Sequence, residues 1–297
     1  MNSVKQDFGG DWMKKVALFV FSGTGNTYYV AKKIQDAFSD SFVCSVYSME
    51  KHMLDASKII EDADLVGIGY PIYGSSLPEI VFEFINRLDT HQKRAFTFCT
   101  QMMFSGDGAA YGGRILGKKG FEVLWQEHFN MPNNLTDVGF LHLFDPGSDE
   151  KIQKRIEKKA NRLVKRIESM KPRKMGSNPF SLFLGLLQRL PYDGFKHSKR
   201  PPRIRIHQKA CIACGTCVDL CPSGNLFFKE GILCDEDKCI LCYRCVNHCP
   251  TGALTVFSKK PLKKPYLGPY KGFDIRTVKE DHLRSEKTNQ ANHEVNQ

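Results

Sequence analysis

No apolar run in this 297-residue chain approaches the roughly 20 residues that a membrane-spanning helix needs. The first fifteen residues, MNSVKQDFGGDWMKK, lack the apolar core of a secretory signal. These absences set the expectation of a soluble, cytoplasmic protein, in a compartment that keeps the 11 cysteines reduced and free of disulfides. Negative charge is scarce in one place only. Residues 151–210 hold 18 Lys and Arg against 3 Asp and Glu, whereas residues 1–150 hold 13 against 19. The formal charge of +11 is therefore the property of one segment that follows an acidic one. Such a block attracts nucleic acid or anionic lipid, but no nucleic-acid motif accompanies it and no nucleic-acid partner is expected. An acidic protein surface, or the acidic N-terminal half itself, is the simpler target.

Eight of the cysteines are present in two copies of one pattern, Cys211, Cys214, Cys217, Cys221-Pro222 and Cys239, Cys242, Cys245, Cys249-Pro250, offset by 28 residues. Three cysteines two residues apart wrap a short loop around one face of a cubane, whose fourth iron needs a ligand from elsewhere. In this arrangement the cysteine before proline reaches across to the other cluster. The expectation is two 4Fe-4S clusters, one on Cys211, Cys214, Cys217 and Cys249, the second on Cys239, Cys242, Cys245 and Cys221. The repeat extends past the ligands, pairing Ile212 with Ile240, Gly224 with Gly252 and Leu226 with Leu254. Zinc takes four ligands per site, usually from paired CxxC knuckles, and a triple run plus CxxxCP written twice does not match it. Cys44 and Cys99 lie in apolar strand-like runs and read as buried structural thiols. Cys234 stands outside the ligand spacing, in a predicted hairpin. Around Cys211 to Cys249 the chain resembles the bacterial two-cluster ferredoxins, which implies a small α+β domain over residues 205–260.

Residues 14–170 alternate apolar strand runs with helix patterns. Val16–Phe21, Val43–Tyr47, Leu65–Gly69, Ala95–Thr100 and Glu122–Glu127 read as strands; Thr27–Phe38, Pro78–Leu88, Ala109–Lys119 and Asp149–Met170 read as helices. The alternation argues for an α/β fold, a doubly wound parallel sheet covered on both faces. Five strands fit the flavodoxin-like order 2-1-3-4-5, with the switch point between strands 1 and 3.

The first strand runs into Ser22-Gly23-Thr24-Gly25-Asn26-Thr27 and then into a helix. Glycines let this loop curl, amides and hydroxyls point inward, and the helix N-terminus supplies positive potential for a phosphate. A triphosphate loop needs GxxxxGK, and no lysine occurs before Lys32; a dinucleotide fingerprint needs a third glycine where Tyr28 stands. A terminal monophosphate held by hydroxyls and amides remains, which is how flavodoxins hold FMN, and residues 14–170 resemble that family. The resemblance implies two further loops around the isoalloxazine. Tyr70-Pro71-Ile72-Tyr73-Gly74 offers aromatic faces and a glycine peptide beside N5. The Gln101–Tyr111 loop, with Gln101 and Met102 at its start, carries Gly106-Asp107 and Tyr111, similar to a GDxxxY pattern. Met131-Pro132-Asn133-Asn134, after the fifth strand, is not counted in the expected site.

Between the domains, residues 171–204 form a basic and apolar linker with a short helix. Phe180, Phe183, Leu184 and Leu187 recur at helical spacing, and Leu182, Leu186 and Leu190 widen the stripe. Packing within the chain or in a homodimer is the first expectation for it, a partner groove the second, and peripheral membrane contact the third. Pro201-Pro202 stiffens the approach to the cysteine domain. Residues 1–13 and 261–297 read as tails, the second polar and disordered from about Thr277. Flavodoxin–ferredoxin fusions of anaerobic microbes share this layout. The resemblance implies an electron carrier between FMN and two clusters, serving redox partner proteins that include acidic ones. A flavoenzyme with His128, Asp107 and Met102-Met103-Phe104 around a small substrate, and a redox-sensing interaction protein, are the alternatives.

Overall fold

In the computed structural model, which describes residues 13–89, 92–138, 149–196 and 203–283, the N-terminal half builds one parallel sheet. Strands β1 (Lys14–Val20), β2 (Phe42–Ser48), β3 (Leu65–Pro71), β4 (Arg94–Gln101) and β5 (Glu122–Asn130) lie in the order 2-1-3-4-5, and the short β6 (Arg173–Lys174) extends the sheet beyond β5. β1 shows why its sequence is an unbroken apolar run. Val16, Leu18 and Val20 point into one core while Ala17 and Phe19, with Phe21 just beyond, point into the other. Helix α1 (Asn26–Ala37) and helix α5 (Asp149–Glu168) cover the first face, α5 through Ile152, Ile156, Ala160, Leu163 and Ile167 on one side of a charged helix. The second face is covered by α2 (Ala56–Glu61), α3 (Glu79–Arg87) and α4 (Gly108–Lys118). Six residues are too few to establish an apolar period, so α2 has no signature in the sequence.

The cysteine domain keeps its internal repeat in the backbone. β7 (Arg205–Ile206) pairs antiparallel with β10 (Leu254–Thr255), and β8 (Leu226–Lys229) with β9 (Ile232–Asp235), the hairpin that carries Cys234. α7 (Thr216–Leu220) and α8 (Arg244–His248) each carry the third cysteine of a run, Cys217 and Cys245, and end just before the fourth. Ala213 and Leu241 take positive φ at equivalent positions (53° and 58°), as do Gly215 and Tyr243 (79° and 61°). These left-handed residues curl each CxxCxxC stretch into a loop.

Two expectations are corrected. Residues 261–283 are a strap, not a tail. Phe273, Ile275 and Val278 are buried with Tyr28 of α1 and Leu220 of α7, and His282 pairs with Val46 on β2. β2 is the sheet edge, with no strand on its outer side, and this pairing covers part of it. Residues 1–12, 284–297 and Pro201-Pro202 lie outside the described residues.

The second correction concerns the linker helix. α6 (Pro179–Lys196) starts where Asn178 accepts a hydrogen bond from the Ser181 amide (2.9 Å) and proline occupies the first turn. It packs on the first domain through its small and polar side. A Cβ on Gly106 would meet the Gly185 nitrogen at 2.4 Å, and one on Gly185 would meet Asp107 Oδ1 at 1.8 Å, so both positions need glycine. Arg189 makes a bidentate pair with the fully buried Asp107 (2.6 and 3.0 Å), donates to the Ser75 carbonyl (2.9 Å) and covers the Tyr111 ring at 4.2 Å. Phe180, Phe183, Leu186, Leu187 and Leu190 face outward. Leu182 and Leu184 are half-buried at the margins of the apolar stripe, and its other five residues are left uncovered by the described residues. Replacing Arg189 by Met leaves a buried carboxylate with Arg114 alone, so amide exchange across residues 179–196 should accelerate about a hundredfold or more. Unchanged exchange in a hydrogen–deuterium measurement would show that the pair does not anchor α6.

Candidate functional site

The ends of β1, β3, β4 and β5 open into a cleft with a cavity volume of about 280 Å³, at the carboxyl side of the sheet where such folds place ligands. Ser22, Gly23, Thr24, Asn26 and Thr27 form its floor. Gly25, outside the wall itself, holds φ 95° and turns the chain into α1, whose first turn has no side-chain cap and no acidic residue. The first amides of α1 are left for an anion. Asn134 Nδ2 donates to Thr24 Oγ1 (3.0 Å), leaving the Thr24 proton to point elsewhere, and Thr27 shares a hydrogen bond with Thr100 (2.8 Å). The hydroxyls of Ser22 and Tyr73 are buried without a partner among the described residues. Burial raises the Tyr73 phenol well above its usual range, so it stays a neutral donor. Unpaired buried hydroxyls around an open helix N-terminus fit a phosphate monoester, which accepts all of these bonds.

The side walls are Pro71, Ile72, Tyr73 and Gly74 after β3, and Thr100, Gln101 and Met102 after β4. Besides Gly25, three expected residues lie off the wall. Tyr70 is fully buried, its hydroxyl donating to the Gly108 and Ala109 carbonyls (3.0 and 3.2 Å), so it is a core residue of the sheet. Gly106 is pressed beneath α6, and Asp107 is engaged by Arg189 and Arg114. Met131, Pro132, Asn133 and Asn134, left out of the expectation, do line the cleft. So do Leu135, Tyr192 of α6, and Leu241, Tyr243 and Phe257 of the cysteine domain. No local motif marks these last residues, because they reach the cleft only through the packing of distant segments.

The cysteines separate into the two expected sets. Cys211, Cys214, Cys217 and Cys249 line one small cavity; Cys221, Cys239, Cys242 and Cys245 line another. Backbone amides of Asn225 and Ala253 donate to the Cys221 and Cys249 sulfurs, both at 3.2 Å and at equivalent repeat positions. Such bonds support thiolates that ligate a cluster. Burial raises the Cys217 thiol to about 11 and Cys242 to about 12, so these sulfurs ionise at neutral pH only with a cation to ligate them. No three His, Cys, Asp or Glu side chains among the described residues converge tightly enough for a single metal ion. Four cysteines line each cavity, the number that a 4Fe-4S cubane takes. Cys44 and Cys99 are buried in the sheet cores, and Cys234 lines neither cavity.

The inner set is joined to the cleft by a buried polar seam. Leu241 and Tyr243, on either side of Cys242, belong both to the walls of that cysteine cavity and to those of the cleft. A Cβ on Gly23 would stand 2.5 Å from the Cys242 carbonyl oxygen, so only glycine permits the two loops to touch. Arg244, fully buried, donates to the carbonyls of Ser22 (2.8 Å), Gly23 (3.0 Å) and Leu220 (3.0 Å) and pairs with Glu50 (3.0 Å at Nη1). Burial opposes its charge, and the Glu50 carboxylate more than offsets this. Asp137 accepts from the Tyr243 hydroxyl (2.7 Å) and from the amides of Val256 (2.6 Å) and Phe257 (2.7 Å). Asn247 links Thr136 (2.7 Å) and the Asn134 carbonyl (2.9 Å) to the Tyr266 amide (2.8 Å).

Comparison with known proteins gives a flavodoxin domain over residues 17–134 and a 4Fe-4S dicluster domain over residues 210–253. An uncharacterised protein of Methanocaldococcus jannaschii is 32% identical over 88 residues, 30% of this chain and 54% of that protein. The match thus spans about half the length of that curated relative. Among solved structures, the rubredoxin oxygen:oxidoreductase of the anaerobe Desulfovibrio gigas is similar at a TM-score of 0.40 and 15% identity, covering 54% of this chain and 38% of that one. The two-electron reduced flavodoxin of Megasphaera elsdenii gives 0.35 and 21%, covering 49% and 98%.

If the unpaired Ser22 hydroxyl meets a phosphate, Ser22→Ala should raise the FMN dissociation constant about tenfold. Ser48, whose hydroxyl is also buried without a partner among the described residues but stands at the end of β2, serves as the control, and Ser48→Ala should change nothing. Equal FMN affinity in the two variants, measured by fluorescence titration, would place the phosphate elsewhere.

Proposed function

This chain is a flavodoxin–ferredoxin fusion, and we propose that it is an electron-transfer protein that couples two 4Fe-4S clusters to one FMN within a single polypeptide. The observation that carries this reading is the shared wall: Leu241 and Tyr243 of the inner cysteine loop close the cleft above the phosphate loop. When bound, the clusters pass single electrons and FMN holds one or two, which together connect one-electron carriers to two-electron chemistry. Ser22, Thr24, Thr27 and the start of α1 would hold the phosphate, with Pro71 to Gly74, Gln101 and Met102 alongside the ring. Cys221, Cys239, Cys242 and Cys245 would hold the cluster beside the cleft. Cys211, Cys214, Cys217 and Cys249 would hold the outer one, whose cavity shares no residue with the cleft.

The outer set also reaches the surface. Cys214 is exposed and its neighbour Ile212 is 63% exposed, which gives a partner protein a place to approach. Electrons would therefore enter or leave at the outer cysteines, pass the inner ones and meet the cleft. Tyr192, Tyr243 and Phe257 narrow the access of solvent to that last site. The alternative of a small-substrate flavoenzyme loses its two titratable residues. His128 does not line the cleft: its Nε2 accepts from the Ala109 amide (3.0 Å), and burial pushes its imidazole down to about 4. Asp107 is occupied as the anchor of α6.

Paired cysteine variants test the order of the wire. In protein purified and reconstituted anaerobically, Cys242→Ala and Cys214→Ala should each lose about half of the roughly eight irons and keep FMN. Only Cys242→Ala should abolish reduction of the flavin through the remaining cluster. Unchanged iron in either variant, or flavin reduction in Cys242→Ala as fast as in the natural chain, would refute this assignment. Arg244→Gln should retain both kinds of cofactor yet slow electron passage between them, because it loosens the seam without touching a ligand. An unaltered rate in stopped-flow absorbance would deny Arg244 that positioning role.

A further inference from the structure

α6 is amphipathic in the opposite sense to an ordinary surface helix. Its inner side is small and polar, built from Ser181, Gly185, Gln188 and Arg189, and it is fixed to the first domain by the Arg189–Asp107 pair. Its outer side carries Phe180, Phe183, Leu187 and Leu190 at spacings of three and four residues, with Leu186 beside them, each between 50% and 69% exposed. Met103 and Phe104, 54% and 50% exposed, stand on the β4 loop a few residues from Gly106, where that loop meets α6. A stripe of this kind on a soluble surface costs free energy unless something covers it, and no described residue does.

Charge identifies the cover. Residues 171–203 hold eight Lys and Arg and a single Asp; Arg189 is buried against Asp107 and Arg203 pairs with Asp237, which leaves six others. Lys171 and Lys174 are exposed just before α6, and Lys196, Lys199 and Arg200 follow in sequence at its other end. A second copy of this chain would bring two such cationic segments together and add repulsion to the contact. An anionic bilayer supplies both complements at once, acyl chains for the Phe and Leu side chains and negative headgroups for the flanking cations. We propose that the outer face of α6 docks the protein on an anionic lipid bilayer surface, with the helix lying in the interfacial plane. The described residues contain no helix long and apolar enough to cross the membrane, so the attachment is peripheral. Tyr192, on the same helix, lines the cleft, and docking therefore holds the flavin site near the lipid surface. This proposal does not rest on the electron-transfer reading.

The test uses the full chain with its cofactors bound. Cosedimentation with vesicles of phosphatidylcholine mixed with phosphatidylglycerol should be at least about tenfold stronger than with phosphatidylcholine alone, and should weaken as salt is added. Phe183→Ser combined with Leu187→Ser should reduce binding to the mixed vesicles about tenfold or more. Lys171→Gln and Lys174→Gln should each reduce it about fivefold. All four side chains are exposed, so flavin and iron contents should match those of the natural chain, and this checks that the variants fold. Absence of binding to the mixed vesicles, equal binding to neutral ones, or unchanged binding in the Phe183/Leu187 variant overturns the proposal. A dimer that this same variant dissociates, in a chain that does not bind vesicles, overturns it in favour of a second copy.

Discussion

A single buried guanidinium links the two halves of this molecule. Arg244 stands between two cysteines of the inner run, yet its hydrogen bonds go to the carbonyls of the phosphate loop and to Glu50 at the end of β2. A buried ion pair contributes little net stability, because desolvation offsets most of the attraction, but breaking one is costly. Its value lies in placement. With Arg244 satisfied, the Cys242 carbonyl lies against Gly23, and Leu241 and Tyr243 become cleft wall. Had the cysteine domain been attached only by a flexible linker, the separation of its cavities from the cleft would vary with each collision.

The same device recurs at α6. Arg189 enters from the linker and pairs with Asp107 on the β4 loop, just as Arg244 enters from the cysteine domain and pairs with Glu50. In both cases a segment far away in sequence is fixed over a loop at the carboxyl end of the sheet. The strap over residues 261–283 adds a third closure, with Tyr266 hydrogen-bonded to Asn26 of the phosphate loop and Phe273 packed against Gly25. The cleft is thus built by one domain and roofed by two later segments, α6 and the cysteine domain, while the strap packs behind the loop at Gly25. Of its four aromatic lining residues, Tyr192, Tyr243 and Phe257 come from these later segments and Tyr73 from the first domain.

How much of this was legible in the sequence follows from the range of each interaction. The strands were readable because an apolar run buried on both faces leaves its mark in consecutive residues, and the phosphate loop because glycine and hydroxyl spacing is local. The two cysteine sets were readable as groups because their spacing repeats over a few residues. Tyr70 was misplaced: a tyrosine at a strand end has the same sequence whether its ring faces a ligand or, as here, donates to Gly108 and Ala109. Asp107 was misplaced because its partner Arg189 lies 82 residues away. Tyr192, Leu241, Tyr243 and Phe257 were missed for that reason too. The α6 stripe was seen, but its direction was not, since periodicity shows that a face exists without showing which way it points.

The proposed union of clusters and flavin in one chain has a kinetic consequence that partners in solution cannot imitate. If the inner cysteine loop delivers electrons across the shared wall, flavin reduction after photochemical injection of electrons into the clusters is a unimolecular event. Transient absorbance followed across serial dilution of the anaerobic holoprotein measures this directly. A rate constant independent of protein concentration is the predicted result; a rate that falls in proportion to concentration would mean that electrons pass between molecules and that the seam at Arg244 is not their route.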